Sequence, residues 1–141
     1  MSYSRLIPIE FNHCDPAGIV FYPRYFEMTN SVVENFFADV LNYPFARIVM
    51  EEGYGTPTAR IEVNFLAPSR LGERLEFTLT VRRLGRASVA LRIVGACAGH
   101  DRLTADLTLV WVDPHGKAQP WPEVLRSRLT AELQPEEGPP T

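Results

Sequence analysis

Lysine, cysteine and long apolar runs are scarce in this sequence. Lys117 is the single lysine among 14 basic residues, and the net charge of −3 argues against a nucleic-acid partner. No stretch is apolar over the length that crosses a bilayer, so no membrane partner is expected. The two cysteines, Cys14 and Cys97, form no Cys-x-x-Cys motif, which favours reduced thiols. The first residues lack the apolar core of a signal peptide, and a cytoplasmic location is expected.

Length and composition predict one globular domain. The chain has 141 residues, of which 45% are hydrophobic and 22% charged, values that are typical of globular proteins. We expect a single domain over residues 1–133. The polar, proline-rich residues 134–141 are predicted to form a disordered tail.

The hydrophobic pattern changes once along the chain, from helical to strand periodicity. Apolar spacings of three and four residues predict a long, mostly buried helix over residues 22–41, with Pro23 in its first turn. A short helical segment is predicted over residues 44–53, and a last amphipathic helix follows Pro122. Alternating patterns predict strands over residues 5–11, 59–66, 75–81, 88–98 and 103–112. The predicted fold class is therefore α+β, with a sheet wrapped around one long helix and sheet edges that favour dimerisation.

The segment Asn12–Phe26 contains the residues best suited to chemistry. Asp15 lies in a run of turn formers that precedes the long helix, and a helix N-terminus attracts anions through its unpaired N–H groups. A carboxylate near a carbonyl polarised by such groups can act as a nucleophile or a general base in acyl transfer. Pro23 has no N–H, so the candidate donors are Phe21, Tyr22 and Arg24. Asp-Pro-Ala-Gly is also a common turn, and a purely structural role for Asp15 stays open.

The run H-C-D-P-A-G-I-V-F-Y-P-R-Y resembles the signature of one enzyme group. That group is the 4-hydroxybenzoyl-CoA thioesterases, a branch of the hotdog-fold acyl-CoA thioesterases. The likeness extends over roughly residues 6–131 and includes Gly55-Thr56-Pro57, Phe65-Leu66-Ala67-Pro68 and Gly72-Glu73. The resemblance implies a hotdog fold, in which a five-stranded antiparallel sheet encloses the long helix. It also implies homodimers or homotetramers with active sites at the dimer interface.

The resemblance also assigns roles to individual residues. Asp15 matches the catalytic carboxylate, which attacks the thioester carbonyl or activates water. Tyr22 matches the residue whose backbone N–H polarises that carbonyl, and a tyrosine here, where some relatives have histidine, points to aromatic acyl groups. Gly18 and Ala17 would keep the loop low enough for the acyl group to approach. Thr56 lies where the family's second strand and the preceding loop approach the acyl pocket.

Basic residues are concentrated at the turn between the third and fourth predicted strands. Three guanidinium groups and a hydroxyl occur there and are expected to bind the phosphates of coenzyme A, with a solvated loop as the alternative. These residues are Arg82, Arg83, Arg86 and Ser88. No His, Cys or Asp spacing suits a metal and no phosphate-binding glycine loop occurs, so no metal and no cofactor are predicted.

The sequence as a whole predicts an acyl-CoA thioesterase. Its substrate would be an aromatic, 4-hydroxybenzoyl-like or short acyl-CoA, hydrolysed to the free acid and CoA. Two alternatives remain open: a hotdog hydratase or dehydratase that acts on acyl-thioesters, and a non-catalytic module that binds acyl-CoA.

Overall fold

The computed structural model describes residues 2–135. Its regular elements, in chain order, are β1 (Tyr3–Pro8), α1 (Pro23–Asp39), β2 (Thr58–Phe65), β3 (Arg74–Leu84), β4 (Ser88–Cys97), β5 (His100–Val110) and α2 (Glu123–Glu132). Neither helix has the length and hydropathy that a membrane-crossing segment needs within the described residues. Gln134 and Pro135 are described, whereas the rest of the tail predicted to be disordered lies outside the described residues.

The five strands form one antiparallel sheet in the order β1-β3-β4-β5-β2. A two-residue turn joins β4 to β5, and both of its residues, Ala98 (φ 50°) and Gly99 (φ 80°), adopt the left-handed conformation that such hairpins require. The strands β1 and β2 form the two edges. The α+β class and the five-stranded hotdog sheet around one long helix are therefore confirmed.

The core lies between α1 and one face of the sheet. Strand residues are buried alternately, as a half-buried sheet requires, and Phe36 and Phe37 of α1 are 1% and 0% exposed. Gly95 faces the same core, and a side chain there would approach Leu103 to 2.6 Å and Phe77 to 2.9 Å. Only a glycine at this position lets the neighbouring strands carry their large side chains without displacement.

In two places the structure has a different type of element from the one predicted. The first strand, predicted over residues 5–11, ends at Pro8, and Phe11–His13 forms a 3₁₀ helix in which His13 Nδ1 accepts the N–H of Glu10 at 2.9 Å. The helix predicted over residues 44–53 is a π-helical segment, Ala46–Glu51. Strand alternation over so few residues does not place the end of β1, because the local hydrogen bond to His13 decides it. Apolar spacing within a six-residue segment likewise does not separate a π helix from an α helix.

Candidate active site

Asp15 lies in a tight β-hairpin that precedes α1. Its N–H donates to the carbonyl of Ile19 at 3.0 Å, and its carbonyl accepts the N–H of Gly18 at 3.0 Å. Gly18 has a φ of 77°, the left-handed conformation that closes a three-residue hairpin loop. Oδ1 of Asp15 accepts the N–H of Ala17 at 2.9 Å, so the aspartate forms the turn that its sequence pattern predicts. Oδ2 makes no hydrogen bond within residues 2–135, which leaves one oxygen for a substrate or water.

Tyr22 supplies an unpaired main-chain donor beside this hairpin. Of the other two predicted donors, Phe21 gives its N–H to His13 O at 2.9 Å, and Arg24 gives its N–H to a carbonyl at 2.8 Å. The N–H of Tyr22 has no acceptor in the described part of the chain, and Pro23 occupies the first position of α1. A free N–H at a helix start favours a carbonyl oxygen that gains negative charge. The structure thus reduces the predicted donors to Tyr22.

Aromatic side chains surround the start of α1. The ring of Phe65, at the end of β2, has three aromatic neighbours, with centroid distances of 6.1 Å to Tyr22, 5.7 Å to Tyr25 and 6.5 Å to Phe26. Tyr22 and Phe65 are 59% and 48% exposed, so the cluster is open to solvent in a single chain. Phe65 is predictable from sequence as a strand residue and as part of a family-like run, but its contact with α1 is not, because that contact joins elements that are distant along the chain.

A cavity of about 180 Å³ lies between α1 and β2, and Thr56 lines it. Phe26 and Ile61 contribute apolar surface, while Asn30 and the threonines contribute polar groups. Thr56 precedes β2, whereas Phe65 ends it, and an eight-residue strand is about 25 Å long. Thr56 is therefore separated from the Asp15 hairpin of its own chain by most of the length of β2.

The four residues predicted to bind the phosphates lie together, at the far end of β3 from the Asp15 hairpin. The hairpin is bridged to the segment before β3 by the pair Ile19–Arg70. From there β3 runs for 11 residues, about 35 Å, to the turn that carries the basic groups. Arg83 and Arg86 are exposed, and the half-buried Arg82 donates to Gln134 O at 3.4 Å. The structure does not bring these residues to Asp15 of the same chain.

An ion pair that the sequence analysis did not identify lies behind the hairpin. The guanidinium of Arg102 donates to Glu73 Oε1 at 2.8 Å and to Oε2 at 3.0 Å. This charged hydrogen bonding, together with the N–H of Arg70, lowers the pKa of Glu73 from 4.5 to about 2. Sequence alone gives no sign of this pair, because it depends on how the segment before β3 folds back towards β5.

A model of one protein family matches most of the chain. The thioesterase-like superfamily model covers residues 9–129, and the protein belongs to this superfamily. The resemblance drawn from the sequence is thereby confirmed.

Individual relatives agree with this placement. A 4-hydroxybenzoyl-CoA thioesterase from Pseudomonas sp. (strain CBS-3) is 31% identical over 85 residues, and this match spans about 60% of each protein's length. The structure of a 4-hydroxybenzoyl-CoA thioesterase variant with bound 4-hydroxybenzoyl-CoA superposes with a TM-score of 0.83 at 24% identity, covering 91% of this chain and 98% of that one. A gentisyl-coenzyme A thioesterase superposes with a TM-score of 0.82 at 22% identity, covering 88% and 99%. The two structural matches establish the shared fold.

Proposed function

We propose that this protein is an acyl-CoA thioesterase that hydrolyses an aromatic, 4-hydroxybenzoyl-like or short acyl-CoA to the free acid and CoA. The observation that carries the proposal is that one hairpin and the start of the helix after it hold two groups without a hydrogen-bond partner in the described residues, a carboxylate oxygen of Asp15 and the N–H of Tyr22. Superfamily membership and the 31% identity to a 4-hydroxybenzoyl-CoA thioesterase support it.

The proposed chemistry uses one side chain and one main-chain group. The thioester oxygen accepts the N–H of Tyr22, and the dipole of α1 further stabilises the negative charge that develops on it. Asp15 either attacks the carbonyl carbon or takes a proton from an attacking water. In both routes the tetrahedral intermediate collapses with cleavage of the C–S bond, and CoA leaves as a thiolate that is then protonated. Attack by water gives the free acid directly, whereas attack by Asp15 leaves a mixed anhydride that a water molecule hydrolyses to the free acid and the regenerated carboxylate.

The cavity between α1 and β2 supports a small aromatic or short acyl group. Its volume of about 180 Å³ is close to the roughly 150 Å³ that holds a benzene ring in a protein core. Apolar contacts from Phe26 and Ile61 suit a ring or a short chain, and Asn30 and Thr56 offer partners for a ring hydroxyl.

The distances within one chain favour an active site shared by two copies. Within residues 2–135, the edge strand β2 pairs with β5 alone, and its inward-facing Ile61 and Phe65 are 36% and 48% exposed. Antiparallel pairing of two β2 strands around a two-fold axis places Thr56 of one copy towards Phe65 and the Asp15 hairpin of the other. The same rotation turns the far end of one sheet, with Arg83 and Arg86, towards the other copy's hairpin. We therefore propose a homodimer as the catalytic unit, and dimers can pair further into tetramers.

The test is steady-state hydrolysis of a panel of aryl and alkyl acyl-CoA esters, followed by release of free thiol. We expect the wild-type protein to turn over at least one ester and the Asp15→Asn variant to lose at least ~10²-fold in kcat. Asp101→Asn is the matched control, since this exposed aspartate lies in the β4–β5 hairpin, and its kcat should stay within two-fold of wild type.

Two results would contradict the proposal. Wild-type protein that binds the esters without releasing thiol would indicate a binding module or a hydratase. If the kcat of Asp15→Asn equals that of Asp101→Asn, Asp15 is neither the nucleophile nor the general base.

A further inference from the structure

The segment between β2 and β3 is held by Arg102 at several points. The Arg102 guanidinium donates to the carbonyl of Pro68 at 2.8 Å, to Ser69 Oγ at 3.3 Å and to both oxygens of Glu73. Its own carbonyl accepts the N–H of Leu66 at 2.8 Å. Arg102 belongs to β5, and its side chain, which is 13% exposed, lies between that strand and the segment. One arginine therefore determines the path of the whole segment.

Glu73 completes this attachment from the other end of the segment. Its Oε1 accepts the N–H of Arg70 at 2.6 Å, and its carbonyl accepts the N–H of Ile9 at 2.8 Å. The carboxylate thus closes the turn Arg70–Glu73 and holds it against Arg102. Ser69, at 0% exposure, lies at the centre of the resulting network.

The opposite edge of the same segment holds the Asp15 hairpin. Ser69 O accepts the N–H of Val20 at 2.9 Å, and Leu71 donates its N–H to Gly18 O at 2.9 Å. Gly18 is in turn bonded to the carbonyl of Asp15 at 3.0 Å. A continuous path of hydrogen bonds therefore joins the partly buried ion pair to the backbone of the proposed catalytic aspartate.

We propose that Arg102 and Glu73 are positioning residues that set the place of Asp15 through the segment between β2 and β3. The inference rests on the proposed function, in which the thioester carbonyl is held at the N–H of Tyr22. Asp15 then either attacks that carbonyl or activates a water molecule that does so. A displacement of about 1 Å at a reacting group lowers a rate by up to about 10²-fold, so rigid support behind the hairpin matters for kcat.

The chain contains a matched ion pair that serves as a control. Arg92 donates to both carboxylate oxygens of Asp106 at 3.0 Å, and these residues lie on the neighbouring strands β4 and β5. Both are arginine–carboxylate pairs in which the guanidinium donates to both carboxylate oxygens, through one nitrogen in Arg92 and through two in Arg102. Within residues 2–135, Arg92 and Asp106 make no side-chain hydrogen bond to the segment that holds the hairpin. Comparing the two pairs separates positioning of Asp15 from a general contribution to folding.

The experiment compares Arg102→Lys and Glu73→Gln with Arg92→Lys and Asp106→Asn. For each folded variant, kcat and KM are measured on the best ester of the panel, and hydrogen exchange is measured on peptides that cover residues 12–22. We expect the first two variants to lose about ten-fold or more in kcat with KM within about three-fold of wild type, and to exchange faster over the hairpin. The two control variants should stay within two-fold in kcat and unchanged in exchange.

The outcomes are separable from those of the proposed function. If the wild type hydrolyses esters but Arg102→Lys and Glu73→Gln lose no more kcat than the controls, the positioning role is wrong. If the wild type hydrolyses no ester, the proposed function fails, and the exchange data alone decide whether the pair holds the hairpin. If one variant does not fold, the other variant of the pair carries the same comparison.

Discussion

At the scale of single residues, the two carboxylate oxygens of Asp15 have different surroundings. Oδ1 forms the turn that Asp-Pro-Ala-Gly predicts, and Oδ2, which makes no hydrogen bond within residues 2–135, is the oxygen that the proposed chemistry needs. The choice of Tyr22 could not be made from sequence, because it depends on whether Phe21 finds an acceptor across the hairpin, at His13. Such pairing is a property of the folded loop and has no sequence signature.

The role of a main-chain donor can be tested by removing the N–H of Tyr22. Tyr22 has a φ of −52°, which a proline can adopt, so Tyr22→Pro deletes the donor with little backbone change. We expect kcat to fall by about 10²–10³, the usual effect of removing one oxyanion donor. The control Tyr22→Phe keeps the N–H and should stay within a few-fold of wild type in kcat. Equal activity of the two variants, both shown by circular dichroism to be folded, would exclude the N–H as the donor.

At the scale of elements, alternation and helical spacing predict nearly all of the secondary structure. The strand predicted over residues 75–81 is longer, Arg74–Leu84, and α1 is slightly shorter than predicted, Pro23–Asp39. Strand order could not be predicted from the pattern itself, because β1 pairs with β3 and β2 with β5 across long stretches of chain. The family resemblance implies a five-stranded hotdog sheet, and the order of its strands comes from the structure.

The ion pair that attaches β5 to the segment before β3 predicts that the free energy of unfolding falls in acid. The pKa of Glu73 is lowered in the folded state from 4.5 to about 2 by Arg102 and the N–H of Arg70. Its contribution to the free energy of unfolding is therefore complete above pH 4.5 and is lost as the pH falls towards 2. Near neutral pH we expect the free energy of unfolding of wild type to exceed that of Glu73→Gln by on the order of 1–2 kcal/mol, after allowance for solvent screening.

Urea unfolding of both proteins between pH 3 and 7, monitored by tryptophan fluorescence, measures this difference, since Trp111 and Trp121 are buried. A gap that narrows steadily below about pH 4.5 supports the assignment. If the difference in the free energy of unfolding is the same at every pH, the charge of Glu73 does not contribute to stability, and the difference comes from packing and uncharged hydrogen bonds.

At the scale of the whole molecule, the chain separates groups that the proposed chemistry needs together. Thr56 and the basic turn lie at one end of the sheet, and Asp15 and Tyr22 lie at the other end. Sequence periodicity predicts each group but gives no distance between them, and the separation emerges only from the lengths of β2 and β3. In the proposed dimer, pairing of two β2 edges brings Thr56 and the basic turn of one copy towards Asp15 and Tyr22 of the other.

Charge placed on one sheet edge tests this assembly. Ile61 lies in the edge strand β2 and is 36% exposed, while Leu6 lies in the opposite edge strand β1 and is 52% exposed. We expect wild type to sediment as a dimer or tetramer, and Ile61→Lys to sediment as a monomer with at least ~10²-fold lower kcat. Leu6→Lys should keep both the assembly and the activity. A monomeric wild type with full activity would exclude the shared site.

The donor at Tyr22 belongs to the peptide backbone, and this has an evolutionary consequence. Tyr22 is 59% exposed, and its phenol is not the group that polarises the carbonyl in the proposed mechanism. Side chains at this position are therefore free to drift as substrate preference changes, while the donor persists in every replacement except proline. In a lineage of such enzymes, acyl selectivity can diversify here without passing through inactive ancestors.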